Sequence, residues 1–521
     1  MVSNEITHVI FRCDASLEIG TGHVMRCLTL ANALRLQGSV CRFVCKRFSG
    51  NLENRIQRDG FEVVSLPLPL AEIGKDQEES NLPKHFPWLG GRWQDDAEQT
   101  IAAIGPNKPS WLIVDHYGID SRWEKFLRPH VEKIMVIDDL ADRAHDCDLL
   151  LDQNLVANID QRYEGLLPEN SVRLIGPKYA LLQPEYAELR KKAKVREGPV
   201  KRILVYFGGA DNENLTLKAV KGVKSLKTSD LVIDVVISPK NPNSKQLRNE
   251  VKEKLNFRIH ENLPTLADLI ISADISIGGV GTTTWERCCL GLPSFVVAVA
   301  DNQKPIYDEM VKENYVKEVS REEIGDEIRL SKKLEAVFTN ENLKLMSKKC
   351  FSLVDGFGCK RVIRYLKNRA VIPRLANQSD EELLLVWSND LKVRENSLSK
   401  TVIGVEEHKK WFKDKLNDVN NCIILIMLNP YQEPVGSIRF EKIEDNWRLS
   451  FLVAHKFRGK GYGLPIVEEG LEYLSTKSDK YTIKAEVLHN NLASLKIFKN
   501  LKFDEMRNGN LSVFRKQFVN F

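Results

Sequence analysis

Ten cysteines are spread along the chain without one Cys-x-x-Cys pair, and two of them, Cys288 and Cys289, are adjacent. That spacing argues against a zinc ribbon or a disulfide framework and leaves the reduced thiols of a cytosolic protein as the simplest account. Apolar runs long enough to span a bilayer are missing. The opening residues Met1-Val2-Ser3-Asn4-Glu5 lack the basic segment and apolar core of a secretory signal, so a cytoplasmic location is expected. There is also no dense Lys/Arg stripe with interleaved aromatics. A net charge of +5 over 521 residues suits small anionic ligands and gives no ground for nucleic acid or a membrane as partner. No clustered carboxylate, His or Cys set accompanies the glycine loops, so no metal is expected.

What is present is a globular composition, 43% hydrophobic and 28% charged, in a chain too long for one core. Residues 1–195 alternate strand-like runs (8–11, 40–45, 60–64, 111–115, 133–139, 149–152) with helical patterns. This alternation predicts an α/β domain built on a parallel sheet, which binds ligands at the carboxyl ends of its strands. After the basic linker from Arg190 to Pro199 the alternation restarts at 202–207, 231–237, 257–260 and 275–277. The expected domains are 1–195, 196–370 and a third unit, 371–521.

Two glycine loops stand out. In the first, a strand is followed by Gly20-Thr21-Gly22-His23 and then a helical pattern through Arg26 and Cys27. Bare backbone N–H groups at such a helix start face an anion, and the imidazole of His23 suits general-base work near neutral pH. In the second, Gly278-Gly279-Val280-Gly281 is followed by Thr282, Thr283, Thr284 and then Glu286. The glycines allow close backbone approach and the threonines add hydroxyl donors for phosphate. Like charges repel, so Glu286 fits ribose hydroxyls instead. Asp211, after Phe207-Gly208-Gly209, reads as a turn or cap residue.

Together these pieces carry a resemblance. Arg12-x-Asp14, Gly20 to Cys27, Phe207-Gly208-Gly209-x-Asp211, the 278–291 segment and Asn302-Gln303 resemble the UDP-sugar hydrolases of pseudaminic acid biosynthesis. The resemblance spans residues 8–366. It implies a glycosyltransferase-B-type pair of Rossmann-like domains, with a second half similar to the transferase that adds GlcNAc to lipid-linked muramyl peptide. It implies His23 as the base that activates water at the anomeric carbon, with inversion. Asp14, Gly20, Thr21, Gly22, Arg26 and Tyr117 are expected on the sugar side. Gly279, Gly281, Thr282, Thr283, Glu286, Asn302 and Gln303 are expected on the UDP side.

Beyond Ile372 the pattern changes. Strand-like runs at 422–427, 434–440 and 447–453 are spaced as in an antiparallel meander. They lead through Val453 into Arg458-Gly459-Lys460-Gly461-Tyr462-Gly463, a strand–glycine loop–helix again. With Asn491-x-x-Ser494 further on, this segment resembles the GNAT-type N-acetyltransferases, which implies an α+β domain. It also implies acetyl-CoA as co-substrate, held by Val453, Arg458, Gly459, Lys460, Gly461, Gly463, Asn491 and Ser494. Phe498 stands where many relatives carry a tyrosine, and phenylalanine cannot protonate a thiolate.

The fusion implies two consecutive steps. The last domain acetylates the 4-amino group of a UDP-sugar, and the first two release UDP from the product. A UDP-sugar glycosyltransferase, and a hydrolase or sensor with a degenerate or different acyltransferase domain, stay open as alternatives.

Overall fold

The computed structural model describes residues 7–68, 82–208, 211, 213–226, 230–238, 241–252, 254–298, 303–338, 340–477 and 480–519. Asn302 and Gly209 lie outside them. The chain divides into two compact units at 363/364, with residues 5–363 in one and 364–521 in the other.

The first unit contains two sheets. Strands β1 (His8–Cys13), β2 (Val40–Lys46), β3 (Glu62–Leu66), β4 (Trp111–Asp115), β5 (Ile134–Ile137), β6 (Leu149–Asp152) and β7 (Val172–Ile175) form one, in the order β3-β2-β1-β4-β5-β6-β7. Strands β8 (Arg202–Tyr206), β9 (Val232–Val236), β10 (Phe257–His260), β11 (Ile275–Gly279), β12 (Ser294–Val297) and β13 (Lys317–Glu318) form the other, in the order β10-β9-β8-β11-β12-β13. All pairings in both are parallel. The cause is visible in β4, where Trp-Leu-Ile-Val-Asp is buried throughout. Such a continuous apolar run needs cover on both faces, which only crossover helices supply. In each sheet the order reverses beside its first strand, so the carboxyl ends of β1 and β4, and of β8 and β11, flank a switch point where doubly wound sheets bind ligands.

Around the expected first boundary, at 195, the chain packs with the second half. Ala180, Leu182, Tyr186 and Ala193 pack in one apolar cluster with Trp285, Leu290 and Phe351 of the second half. This packing begins at Ala180, ahead of the charged linker, and the helix Pro184–Arg190 buries Tyr186 and Ala187.

The second unit is one seven-stranded sheet of strands β14 (Ile372–Leu375), β15 (Cys422–Leu428), β16 (Pro434–Ile443), β17 (Asn446–Val453), β18 (Lys480–Leu488), β19 (Asp504–Asn508) and β20 (Leu511–Val519). Its order is β14-β15-β16-β17-β18-β20-β19, and it is antiparallel except where β17 meets β18. Among the described residues no helix is long and apolar enough to cross a membrane.

Candidate active site

The first site is built at the carboxyl ends of β1 and β4. Gly20 takes a left-handed φ of 81°, which a side chain would resist, and the chain turns there into the helix Gly22–Arg35. His23 therefore sits in the first turn of that helix, and Arg26, three residues on, shares its face. Parallel pairing of β1 with β4 sets Cys13 opposite Asp115. Asp115 meets both side chains. Nδ1 of His23 lies 2.6 Å from Asp115 Oδ1. Arg26 donates from Nε to Oδ2 and from Nη2 to Oδ1, each at 2.6 Å.

This geometry fixes the tautomer. Burial alone would raise the Asp115 carboxyl, but the Arg26 charge and then His23 outweigh it and hold it well below the usual carboxylate range. An ionised carboxylate can only accept, so Nδ1 carries the proton, and in the neutral ring Nε2 holds the lone pair. Tyr117 packs edge-on against the imidazole, with ring centroids 4.5 Å apart. His23 and Tyr117 are 7% and 6% exposed. Little bulk water reaches the pair.

Two sugar-side residues, Asp14 and Arg26, are buried in ion pairs. Asp14 is 0% exposed. Its carboxylate lies 2.8 Å from Arg12 Nη1 and accepts the Lys46 N–H at 2.6 Å, with His116 Nε2 at 3.3 Å. Through His116 it meets the Asp115-His116-Tyr117 segment. Arg26 is spent on Asp115 and, through Nη1, on Asp139 at 3.0 Å. It is a positioning residue. Thr21 and Gly22 are exposed at the mouth of the helix.

The second loop is braced from inside. A side chain at Gly278 would collide with the Tyr206 carbonyl, so this position must be glycine. Arg287 donates to the Gly279 carbonyl at 2.7 Å and to Thr284 Oγ1 at 3.0 Å, holding Gly279, Gly281, Thr282 and Thr283 in one turn. Two oxygens near this turn are left over. Glu286 Oε2 and Gln303 Oε1 are buried without a hydrogen-bond partner among the described residues, and Gln303 Nε2 lies 3.7 Å from where a Cβ on Gly281 would be. Burial pushes the Glu286 carboxyl up to about 7, although a bond from Tyr186 works against it. Asp211 accepts the Leu215 and Thr216 N–H groups at 2.7 and 3.1 Å, as a cap should.

In the second unit, β17 and β18 pair only from Asn446↔Thr482 to Arg448↔Lys484 and then part. A cavity of about 340 Å³ opens there, lined by Ser450, Phe451, Val487, Asn491, Ser494 and Phe498 among others. Gly459 and Gly461 hold φ of 75° and 88°, turning the chain from Val453 into the helix Gly463–Ser475 past Lys460. The Arg458 guanidinium is tied to Asp390 at 2.6 Å and to the Val453 carbonyl at 3.1 Å, so the backbone of the loop is left to face an anion. Asn491 caps the helix Leu492–Asn500 through the Ser494 N–H. Phe498 is buried against Phe514, centroids 5.1 Å apart.

Sequence reasoning missed Asp115 and Arg287. The signal for Asp115 was a buried strand that ends in a carboxylate at the ligand-binding end of the sheet; Arg287 had none beyond its place one turn into a helix. Among the described residues no group of three or more His, Cys, Asp or Glu is arranged to hold a metal.

Fold and sites together define a doubly wound α/β unit fused to a GNAT acetyltransferase domain. The family model of the acetyltransferase (GNAT) domain matches residues 370–504. A UDP-2,4-diacetamido-2,4,6-trideoxy-β-L-altropyranose hydrolase of Campylobacter jejuni is 30% identical over 273 residues, 51% of this chain and 84% of that one. The chain belongs to that hydrolase's family. It is also 26% identical over 509 residues to an uncharacterized protein of Methanocaldococcus jannaschii, covering 95% of this chain and 96% of the other. The spore coat polysaccharide biosynthesis protein SpsG of Bacillus subtilis is 22% identical over 367 residues, 69% of this chain and 98% of its own.

Proposed function

We propose that the chain is a bifunctional nucleotide-sugar enzyme of pseudaminic acid biosynthesis. Its first unit hydrolyses UDP-2,4-diacetamido-2,4,6-trideoxy-β-L-altropyranose, and its second acetylates the 4-amino UDP-sugar that precedes it. The observation that carries the first half is the His23–Asp115 contact at 2.6 Å, which leaves Nε2 as a base.

The water oxygen attacks the anomeric carbon from the face opposite UDP, and its proton passes to Nε2 of His23. The bond from that carbon to the phosphate oxygen breaks, and UDP departs with the electron pair. A diphosphate is already a good leaving group, so its departure calls for donors more than for an acid. The 278–284 turn supplies them. Glu286 Oε2 and Gln303 Oε1 accept from the nucleoside hydroxyls, which gives both buried oxygens a partner.

In the second unit the amine attacks the thioester carbonyl of acetyl-CoA, held between the parted strands, the nitrogen gives its proton to water, and the C–S bond breaks with its electron pair left on the CoA sulfur. Phe498 has no proton for the thiolate; water or another donor supplies it.

Incubation of the UDP-4-amino sugar with acetyl-CoA is expected to release CoA and then UDP, with the diacetamido sugar identified by mass spectrometry. His23→Ala is expected to stop the sequence at the acetylated UDP-sugar. Release of neither CoA nor UDP by the wild type overturns the reading.

A further inference from the structure

Beside His23 stands a group of rings that the hydrolytic chemistry does not use. The short 3-10 turn Phe86–Leu89 carries Trp88 to a near-parallel stack on Tyr117, with centroids 5.7 Å apart at 24°. Trp88 also lies edge-on to His23 at 6.4 Å. His85 closes the group at 4.4 Å from Trp88 and 5.5 Å from Tyr117. Unlike His23 and Tyr117, both Trp88 and His85 are only half-buried, so this part of the wall is open to a ligand.

The rings are held in place from three sides. Trp88 Nε1 donates to Glu18 Oε1 at 3.2 Å, which joins the shelf to the loop that mounts His23. Lys46 Nζ donates to the Leu89 carbonyl at 2.7 Å, and Leu89 is fully buried. A Cβ on Gly118 would stand 2.8 Å from the His85 carbonyl, so the Tyr117 turn and the His85 backbone fit only because residue 118 is glycine. A surface aromatic free to rotate would need none of this.

We infer that Trp88, with Tyr117 and His85, is the specificity-determining shelf of the sugar pocket, selecting sugars that present methyl and C–H groups over fully hydroxylated hexoses. This rests on the reading of His23 as the base of UDP-sugar hydrolysis, since that places the sugar ring against these side chains. The indole N–H is already used by Glu18, so Trp88 offers a ligand its π-face and no hydrogen bond. A deoxy carbon or an acyl methyl set there buries apolar area, whereas a hydroxyl loses water without gaining a partner. An apolar wall of this kind discriminates by about 10–100-fold and no more.

The test is calorimetric binding in a His23→Ala background, where the ligand survives. UDP, UDP-glucose and the UDP-diacetamido-trideoxy sugar are titrated with Trp88 intact, Trp88→Ala and Trp88→Phe. Trp88→Ala is expected to weaken the trideoxy ligand about tenfold or more, to change UDP-glucose little, and to leave UDP unchanged. Unchanged UDP affinity also reports that the variant is folded. Trp88→Phe keeps a ring and is expected to fall between. Equal losses for the two sugars, or no loss for either, overturn the shelf. Failure of the hydrolase reading looks different: wild type and His23→Ala then release UDP at the same rate, whatever the affinities.

Discussion

The two glycine loops of the doubly wound unit each follow a strand that flanks a switch point, the first after β1 and the second after β11, yet they treat their polar residues in opposite ways. At the first, His23 is held by Asp115 and Asp115 by Arg26, so the imidazole is oriented before anything binds. At the second, Arg287 braces the backbone while Glu286 Oε2 and Gln303 Oε1 are buried with no partner among the described residues. A group that must move a proton gains from orientation fixed in advance. A group that must hold a ligand is completed only by that ligand. The difference separates a site for chemistry from a site for recognition.

The largest expected effect breaks the comparison at its first member. His23→Ala is expected to lower UDP release by about 10³-fold, in the range of a lost general base, with UDP affinity in calorimetry unchanged. A matching fall in UDP affinity would mean that the two loops do not divide the work. Asp115→Asn is expected to cost less, about 10²-fold in kcat, because the amide oxygen of the new side chain still accepts from Nδ1 of His23 while the charge is gone. It should also cost stability, about 3 kcal/mol, since Arg26 is left buried opposite a neutral side chain. Thermal melting and steady-state kinetics read the two losses separately.

How much of this the amino-acid sequence discloses follows from where each interaction is decided. Strands such as Trp111–Asp115 are legible because a strand buried on both faces is an unbroken apolar run. Val172-Arg173-Leu174-Ile175 and Lys317-Glu318 are not, because an edge strand needs only one apolar side and the second of these is just two residues long. His23 and both glycine loops are legible, since a strand, glycines and a helix start are local. Asp115 is 92 residues from His23 and reaches it only through parallel register, which no local pattern encodes. Burial decided Asp14 and Arg26: both lie in the family's motif, and both spend their charge inside the protein. The packing of Pro184–Arg190 is hidden for the same reason, as the charged linker is conspicuous but the buried face of that helix is settled by distant partners.

Glu286→Gln sharpens the second half of the comparison. Loss of the carboxylate is expected to weaken UDP about tenfold, the order of one charged hydrogen bond. It also has a signature in stability. Unfolded, this carboxyl titrates near 4.5, and folded near 7, so folding favours its protonated form. Stability present below pH 4.5 is then lost as the pH rises toward 7, and stays lost above it. The melting temperature of the wild type, measured against Glu286→Gln, should fall across that window. A constant difference from about pH 4 to 8 would show that Glu286 is not held in an unsatisfied site.

The smallest effect concerns Tyr186, which draws the Glu286 carboxyl down against burial. The Tyr186 hydroxyl, 3.3 Å from Thr265 Oγ1, also bonds the Glu286 carboxylate. Tyr186→Phe removes that bond, so the Glu286 titration should move to higher pH and a larger fraction be protonated near pH 7. If the ribose is held by the ionised carboxylate, UDP affinity at about pH 7 falls by about threefold, within the worth of a single hydrogen bond, and recovers by about pH 8.5. Measuring both proteins at each pH cancels the titration of the diphosphate itself. Recovery at high pH assigns the loss to protonation of Glu286; a loss that persists there assigns it to packing around Tyr186, and the second loop would then owe its affinity to shape more than to a waiting charge.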